Sequence, residues 1–170
     1  MNQDQQIITA PGKIRGTIVI PGDKSISHRS LMFGSLAHGT SRISGILESE
    51  DISSTISCLR LLGADIRLDG QDVLVTGNGF GGLIEPSIPL DCGNSGTTAR
   101  LLSGILAGLP FSSTLTGDDS LRSRPMARVI DPLTLIGASI KSVNGDNLLP
   151  LSVSPISDIR EDVIIETGVA

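Results

Sequence analysis

In the first half of the chain, segments with the hydrophobic pattern of a strand alternate with segments that have the pattern of a helix. The stretches "GTIVIPG" and "SRISGIL" predict strands, and residues 26–37 between them predict a helix. A second helix is predicted by four apolar residues spaced 4, 3 and 3 positions apart, which share one face: Ile52, Ile56, Leu59 and Leu62. The stretches "ADIRL" and "DVLVTG", joined by the turn "DG", are typical of a β-hairpin.

The same order of elements returns in the second half. "IPLD" and "SSTLTG" predict strands, and residues 96–109 and 126–136 predict helices. "ASIKSV" and "LLPLSV" predict a strand pair across the turn "NGDN". Together the two halves predict an α/β fold of the α+β type.

A repeated unit accounts for this order. Ser25 and Ser95 occupy matching places 70 residues apart. The sequence predicts two copies of a β-α-β-α-β-β unit, at about residues 16–77 and 88–154, and "DVIIETG" predicts the start of a third copy over residues 162–170. Because a parallel strand normally needs a crossover helix, we expect residues 1–170 to be the N-terminal piece of a longer repeat protein, truncated after the second unit. A complete short protein with a ragged tail is the alternative.

Composition narrows the possible partners. Thirteen Lys and Arg residues stand against eighteen Asp and Glu, and the chain has no Trp and no Tyr. Neither a nucleic acid nor an anionic membrane is therefore expected as a partner. The N-terminus lacks a secretory signal, and no apolar run approaches the roughly 20 residues that cross a bilayer, so we expect a cytoplasmic protein. Cys58 and Cys92 are expected to pack in the core, with a reactive role for Cys92 as the alternative.

Both units change from strand to helix through a polar, glycine-bearing turn: "PGDKSISHR" and "DCGNSGTTAR". The first N–H groups of a helix lack internal partners and carry the positive end of its dipole, which favours anions. Two such turns predict two neighbouring anion sites. In the first, Ser25 and Arg29 share a helix face with Lys24 just outside it, a set that suits a phosphorylated, hydroxylated small molecule. The alternative is that Ser25 or Ser27 caps the helix and Arg29 is solvated.

The second turn combines backbone freedom with short polar groups. Gly93 and Gly96 allow close approach of a ligand to the backbone. The polar side chains are Asn94, Ser95, Thr97 and Thr98, and Arg100 follows one turn later. An ordinary capped helix is the alternative.

The stretch "GDDSLRSRPMAR" holds the densest positive cluster, formed by Arg122, Arg124 and Arg128. With Pro125 in the first turn of the next helix, Arg124 is predicted at a helix N-terminus, where a cation is unfavourable unless an anion shares the site. Arg128 is predicted to pair with an acid instead.

Two other sequence features do not predict a binding site. "GNGFGG" satisfies G-x-G-x-x-G, but prolines rather than a helix follow it, so a loop is expected instead of a dinucleotide site. His28 and His38 lack metal-ligand spacing and are expected to be structural or on the surface.

The motifs "PGDKSISHR", "LDCGNSGTTARL" and "GDDSLRSRPMARV", in this order, resemble the enolpyruvyl transferases over nearly the whole chain, but over less than half of such an enzyme. The resemblance implies repeated β-α-β-α-β-β units in two domains that close over the substrates. It also implies transfer of the carboxyvinyl group of phosphoenolpyruvate to the 5-hydroxyl of shikimate 3-phosphate, on the way to chorismate and the aromatic amino acids. Phosphate is released, and neither a metal nor an organic cofactor is needed.

The resemblance also implies roles for individual residues. Lys24, Ser25 and Arg29 would bind shikimate 3-phosphate. Phosphoenolpyruvate would be bound by four residues: Lys24, Asn94, Gly96 and Arg124. Lys24 would bridge both substrates and assist proton transfer as the catalytic residue. The small residue at position 96 would leave room for the inhibitor glyphosate.

The chain departs from the family in one respect. It ends at "ETGVA", where the family continues into a Ser-x-Gln stretch and then into further acid–base and cationic groups. We therefore expect the piece to be inactive alone and the full-length enzyme to be a monomer. The alternatives are a non-catalytic phospho-ligand binding module and the UDP-N-acetylglucosamine enolpyruvyl transferase. The latter is disfavoured because Ser25, not Asn, follows Lys24 and the loop "TGDDSLRSRP" lacks Cys.

Overall fold

The computed structural model describes residue 12 and residues 15–69, 72–156 and 158–165. The described residues form a mixed α/β structure with two small sheets. The first half contains helices α1 (Lys24–Leu36) and α2 (Glu50–Leu61), and strands β1 (His38–Ser44), β2 (Asp65–Asp69) and β3 (Asp72–Asn78). The second half contains strands β4 (Leu90–Asp91), β5 (Ser113–Thr116), β6 (Ser139–Ser142) and β7 (Leu151–Ser154), and helices α3 (Gly96–Ala107), α4 (Asp119–Arg122) and α5 (Ala127–Leu135).

The first sheet is antiparallel, with the strand order β1-β3-β2. β3 lies in the centre because its alternating pattern buries Val73 and Val75 against the helices while intervening residues stay partly exposed. α1 packs on β3, and a Cβ atom added to Gly34 would lie 3.1 Å from the Val75 side chain. A small residue is therefore needed at that point of α1. β2 and β3 form the predicted hairpin, although Gly70 of its turn lies outside the described residues.

The second sheet has the order β4-β5-β7-β6, in which β4 and β5 are parallel and the other pairs are antiparallel. α3 packs against this sheet and also contacts α2 and α5. Its apolar residues Ala99, Leu102 and Leu106 are fully buried. α2 contacts both α1 and α3, so one continuous core joins the two sheets. This shared core fixes the start of α1 relative to the start of α3.

Two predicted strands are not formed in the described residues. Residues 16–22 form no strand, and Ile18, Val19 and Ile20 are 78%, 93% and 72% exposed. These apolar residues form no strand because no described strand lies beside them to accept and donate backbone hydrogen bonds. Residues 162–165 also form no strand, and the rest of the predicted third copy lies outside the described residues.

The remaining elements agree with the pattern, with small changes of boundary. α1, α2, α3 and α5 cover the four predicted helices. "GNGFGG" ends β3 and forms a short turn, as expected for a loop. α4 was not predicted, because four residues are too few to show a helical period. The mixed α/β class is confirmed, while the division into repeats stays a prediction.

Ser27 provides a test of how the loop after β1 is held against α1. Its hydroxyl donates to Asp23 O at 2.7 Å and accepts from Leu47 N at 2.9 Å. Ser27→Ala leaves the Leu47 N–H without its partner, so we expect a loss of about 1–3 kcal/mol in the free energy of unfolding, measured with urea. Ser57→Ala is the matched control, because this exposed helical hydroxyl only donates to Ser53 O, and should change stability by about 0.5 kcal/mol or less. Equal losses in both variants would contradict the assignment.

Candidate functional site

The first turn places α1 so that Lys24 is its first residue. The carboxylate of Asp23 caps the helix by accepting from Ile26 N at 2.7 Å, so neither Ser25 nor Ser27 is the cap. The serine cap of the alternative is therefore wrong, whereas its exposed Arg29 agrees with the structure. Ser25 and Arg29 are exposed on α1. Just before the helix, a Cβ atom at Gly22 would collide with Gly45 O, so the close approach of these two loops requires glycine.

Lys24 forms an ion pair with Asp51, which belongs to the first turn of α2. The lysine side chain is half exposed, and the Asp51 side chain is 22% exposed. The pair joins the start of α1 to the start of α2. It also leaves the ammonium group accessible to an anion from solvent.

The second turn is held by hydrogen bonds of its own. Gly93 N donates to Asp91 Oδ1 at 2.8 Å, and Gly93 has a positive φ of 53° that glycine adopts without strain. Ser95 is buried and caps α3, because its hydroxyl accepts from Thr98 N at 3.2 Å. α3 therefore begins at Gly96, as the predicted helix does.

Asn94 and Arg124 are brought together by the unpredicted helix α4. Arg124 Nη2 donates to Asn94 Oδ1 at 2.6 Å and to Ser120 Oγ at 3.2 Å. Asn94 Nδ2 in turn donates to Asp118 Oδ2 at 2.9 Å, and Asp118 caps α4 by accepting from Leu121 N at 2.7 Å. This network fixes the arginine beside the start of α3.

Arg124 does not occupy the predicted place at a helix N-terminus. α5 begins at Ala127 with Met126 as its cap residue, so Arg124 and Pro125 lie in the loop between α4 and α5. The reason is the extra helix α4, which takes up the preceding residues. Within the described part of the chain, Arg128 forms no ion pair, so its predicted acidic partner is not found.

Two guanidinium groups converge on Gly96. A Cβ atom added to Gly96 would lie 2.8 Å from Arg100 Nη1 and 3.5 Å from Arg124 Nη1. In the residues that the structure describes, neither arginine forms an ion pair. The sequence pattern did not predict Arg100 as a site residue, although its spacing of four residues from Gly96 places it on the same helix face. Guanidinium groups beside a helix start are suited to bind phosphate or carboxylate.

α2 links the two turns. Thr55 on α2 and Thr98 on α3 share a hydroxyl–hydroxyl hydrogen bond of 2.7 Å, and both side chains are fully buried. Lys24 reaches the same helix through Asp51. Lys24, Asn94, Gly96 and Arg124 are thus connected by an unbroken set of contacts, while Ser25 and Arg29 stay exposed on α1 without a hydrogen bond to that set.

Several titratable groups have shifted acidity. The Leu121 N–H, and then the Asn94 side chain, lower the pKa of Asp118 and keep this carboxylate ionised. Hydrogen bonding with Cys58, together with burial, raises the pKa of the Cys92 thiol. Both cysteines are fully buried, so the expectation that they pack in the core is confirmed and a reactive role for Cys92 is wrong.

Among the described residues, no helix is long and apolar enough to span a bilayer.

The comparisons with known proteins agree on one class. A family model described as EPSP synthase (3-phosphoshikimate 1-carboxyvinyltransferase) matches residues 8–166. The 3-phosphoshikimate 1-carboxyvinyltransferase of Oceanobacillus iheyensis is 51% identical over 146 residues, which is 86% of this chain and 34% of that protein. The protein of that name from Geobacillus kaustophilus is 55% identical over 148 residues, 87% of this chain and 35% of that protein.

A solved structure supports the same class. EPSP synthase from Acinetobacter baumannii matches with a TM-score of 0.79 and 44% identity, over 82% of this chain and 32% of that one. The fold and the sequence matches thus agree on one family, which confirms the resemblance carried by the three motifs. The chain belongs to the EPSP synthase family. It spans about a third of the length of the curated relatives it matches.

Asp118 provides a test of the network around Arg124. Because its pKa is lowered in the folded state, the carboxylate stabilises the fold above its unfolded pKa of about 3.9, and this stabilisation is lost as pH falls through the folded pKa. Asp118→Asn, which keeps a capping side chain, should be less stable than the unchanged chain at about pH 7. The gap should begin to narrow near about pH 4 and close as the pH falls through the lower, folded pKa. Urea unfolding followed from about pH 7 to about pH 2 measures it.

The control is Asp131→Asn, which changes an exposed carboxylate on α5. This variant should show no comparable gap at neutral pH. A pH-independent loss in Asp118→Asn would mean that the charge of Asp118 has no part in the network.

Proposed function

We propose that this chain supplies part of the substrate site of a 3-phosphoshikimate 1-carboxyvinyltransferase. The enzyme transfers the enolpyruvyl group from phosphoenolpyruvate to the 5-hydroxyl of shikimate 3-phosphate and releases phosphate. The observation that carries the proposal is the convergence of Arg100 and Arg124 on the start of α3 at Gly96. Family membership supports it independently.

Phosphoenolpyruvate is assigned to the turn at Gly96. The absence of a side chain at this residue lets the two guanidinium groups approach the backbone at the start of α3. Arg124 is already oriented by Asn94, so little side-chain freedom is lost when it binds a phosphate or carboxylate. Asn94, Gly96 and Arg124 therefore bind this substrate, with Arg100 as an additional cation.

Shikimate 3-phosphate is assigned to the exposed face of α1 formed by Lys24, Ser25 and Arg29. These side chains combine an ammonium, a hydroxyl and a guanidinium group within about 1.5 helical turns. Asp23 caps the helix, which leaves the Ser25 hydroxyl free to bind the ligand. The set matches a ligand that carries both a phosphate and hydroxyl groups.

Lys24 is the proposed catalytic residue. It lies at the edge of α1 that faces α2, and α2 contacts the helix that begins at Gly96. Its ammonium group can therefore reduce the repulsion between two anionic substrates and donate a proton in the addition step. The ion pair with Asp51 holds the ammonium in position before the substrates arrive.

The proposed enzyme requires more than these residues. Relatives are about three times as long as the matched region, and the site described here is an exposed face rather than an enclosed cavity. We infer that a second part of the enzyme closes over this face, that the β-α-β-α-β-β unit is repeated, and that the whole enzyme is a cytoplasmic monomer. The reaction as proposed uses no metal and no organic cofactor.

Binding by the chain itself tests the phosphoenolpyruvate assignment. Arg124→Ala removes a charged hydrogen-bond donor, so affinity for phosphoenolpyruvate should fall at least about tenfold in a calorimetric or NMR titration. Arg128→Ala, which removes an exposed arginine on α5 outside the proposed site, should change it by less than about twofold. Equal losses of affinity in the two variants would mean that only the net charge of the chain matters, and would contradict the assignment.

Activity is tested in a chimaera. Residues 22–154 of this chain replace the matched residues of the Geobacillus kaustophilus relative, and phosphate release is followed with both substrates. We expect the chimaera to turn over and its Lys24→Ala variant to lose at least about a hundredfold in kcat, because both charge neutralisation and proton transfer are removed. The 170-residue chain alone should release no phosphate, and product formation by it would refute the inference that a second part is needed.

Gly96→Ala tests the space beside α3. The new methyl group would push the Arg100 guanidinium, which is 2.8 Å away and flexible, and would narrow the space next to Arg124. Glyphosate should therefore lose more affinity than phosphoenolpyruvate in the chimaera, with the inhibition constant rising at least about tenfold relative to KM. A parallel rise of both constants would contradict this account.

A further inference from the structure

A line of buried polar side chains connects the two proposed substrate-binding turns. His28 Nδ1 lies 2.7 Å from Thr55 Oγ1, Thr55 Oγ1 lies 2.7 Å from Thr98 Oγ1, and Thr98 Oγ1 donates to Ser95 Oγ at 2.7 Å. All four residues have no measurable exposure. The line starts on α1 beside Arg29, crosses α2, and ends at the cap residue of α3 beside Gly96.

The direction of each hydrogen bond along this line follows from the number of protons that each group can donate. A hydroxyl group has one proton to donate. Since Thr98 donates to Ser95, Thr98 accepts from Thr55, and Thr55 then accepts from the N–H at Nδ1 of His28. The competing acceptor, the backbone oxygen of Asp51, is farther from both threonines, at 3.2 and 3.5 Å.

This direction fixes the state of the imidazole ring. Its Nδ1 carries the proton, and its Nε2 is unprotonated, buried and without a hydrogen-bond partner in the described residues. Burial lowers the pKa of His28, which keeps the ring neutral. An unpaired buried nitrogen is costly, so a core of apolar residues would be a more stable solution at this position. The polar line is therefore better explained by a role in positioning the helices than by a contribution to the stability of the fold.

We propose that His28, Thr55 and Thr98 are positioning residues that set the distance between the α1 and α3 turns, so that both substrates are held in register. This inference rests on the proposed function. Ser95 receives two donors from Thr98, its backbone N–H at 3.2 Å and its hydroxyl at 2.7 Å. Its position, and with it the start of α3 at Gly96, is therefore tied to α1 through α2.

The first measurement needs no variant. Nitrogen NMR of the 170-residue chain reports which ring nitrogen of His28 carries the proton. We expect Nδ1 to be protonated and Nε2 to be unprotonated. Addition of phosphoenolpyruvate, assigned to the Gly96 turn, should shift the His28 ring signals although the ring does not contact the ligand. A ring protonated at Nε2, or unchanged His28 signals at saturation, would overturn the proposal.

The second measurement breaks the line at its centre. Thr55→Val keeps the shape of the side chain but removes the hydroxyl, and phosphoenolpyruvate affinity should fall about tenfold. Thr55→Ser restores the hydroxyl and should bind within about twofold of the unchanged chain. Thr76→Val is the matched control, since it breaks the exposed hydroxyl pair with Thr40, 3.0 Å apart, in the first sheet.

The outcomes separate this inference from the proposed function. If the unchanged chain does not bind phosphoenolpyruvate, the assignment of this substrate to the Gly96 turn fails and this inference fails with it. If the unchanged chain binds while Thr55→Val binds equally well, or while Thr55→Ser loses as much as Thr55→Val, only the positioning role is refuted. Should Thr55→Val not fold, the ring tautomer and the ligand-induced shift of His28 decide the question in the unchanged chain.

Discussion

The hydrogen bond between Thr55 and Thr98 is the contact on which the candidate site depends. It joins α2 to the first turn of α3 inside the core, where water cannot replace it. α2 also holds Lys24 through Asp51 at its own first turn. Because helices are rigid over this length, one fixed point on α2 sets the relation between both turns. The start of α1 and the start of α3 are therefore held in a fixed relation.

Local charge on this face differs from the charge of the whole chain. The net charge is −5, yet Arg100 and Arg124 approach the same buried glycine without an acidic partner among the described residues. Acidic groups nearby act indirectly: Asp118 orients Asn94, and Asn94 orients Arg124. Two arginines held beside a helix start repel each other unless an anion lies between them. Such an arrangement is suited to two anionic metabolites.

Patterns within single elements predicted most of the fold, and contacts between elements did not follow from them. The helix starts at Lys24 and Gly96 were close to expectation, because glycine, polar and apolar residues signal them locally. The apolar run Ile18 to Ile20 is typical of a strand, but a local pattern cannot supply a neighbouring strand. The approach of Arg100 to Gly96 and the line from His28 to Ser95 depend on tertiary packing. Asp23 could have been predicted as the cap, since it directly precedes the helix.

Mapping phosphoenolpyruvate on the chain by backbone amide NMR tests most directly whether the two turns form one anion-binding face. The account predicts that the largest shifts occur at Gly96 and Thr97, with smaller shifts at Lys24 and Ser25, and that all follow one saturation curve. Shifts confined to residues outside both turns, or separate saturation curves for the two turns, would contradict it.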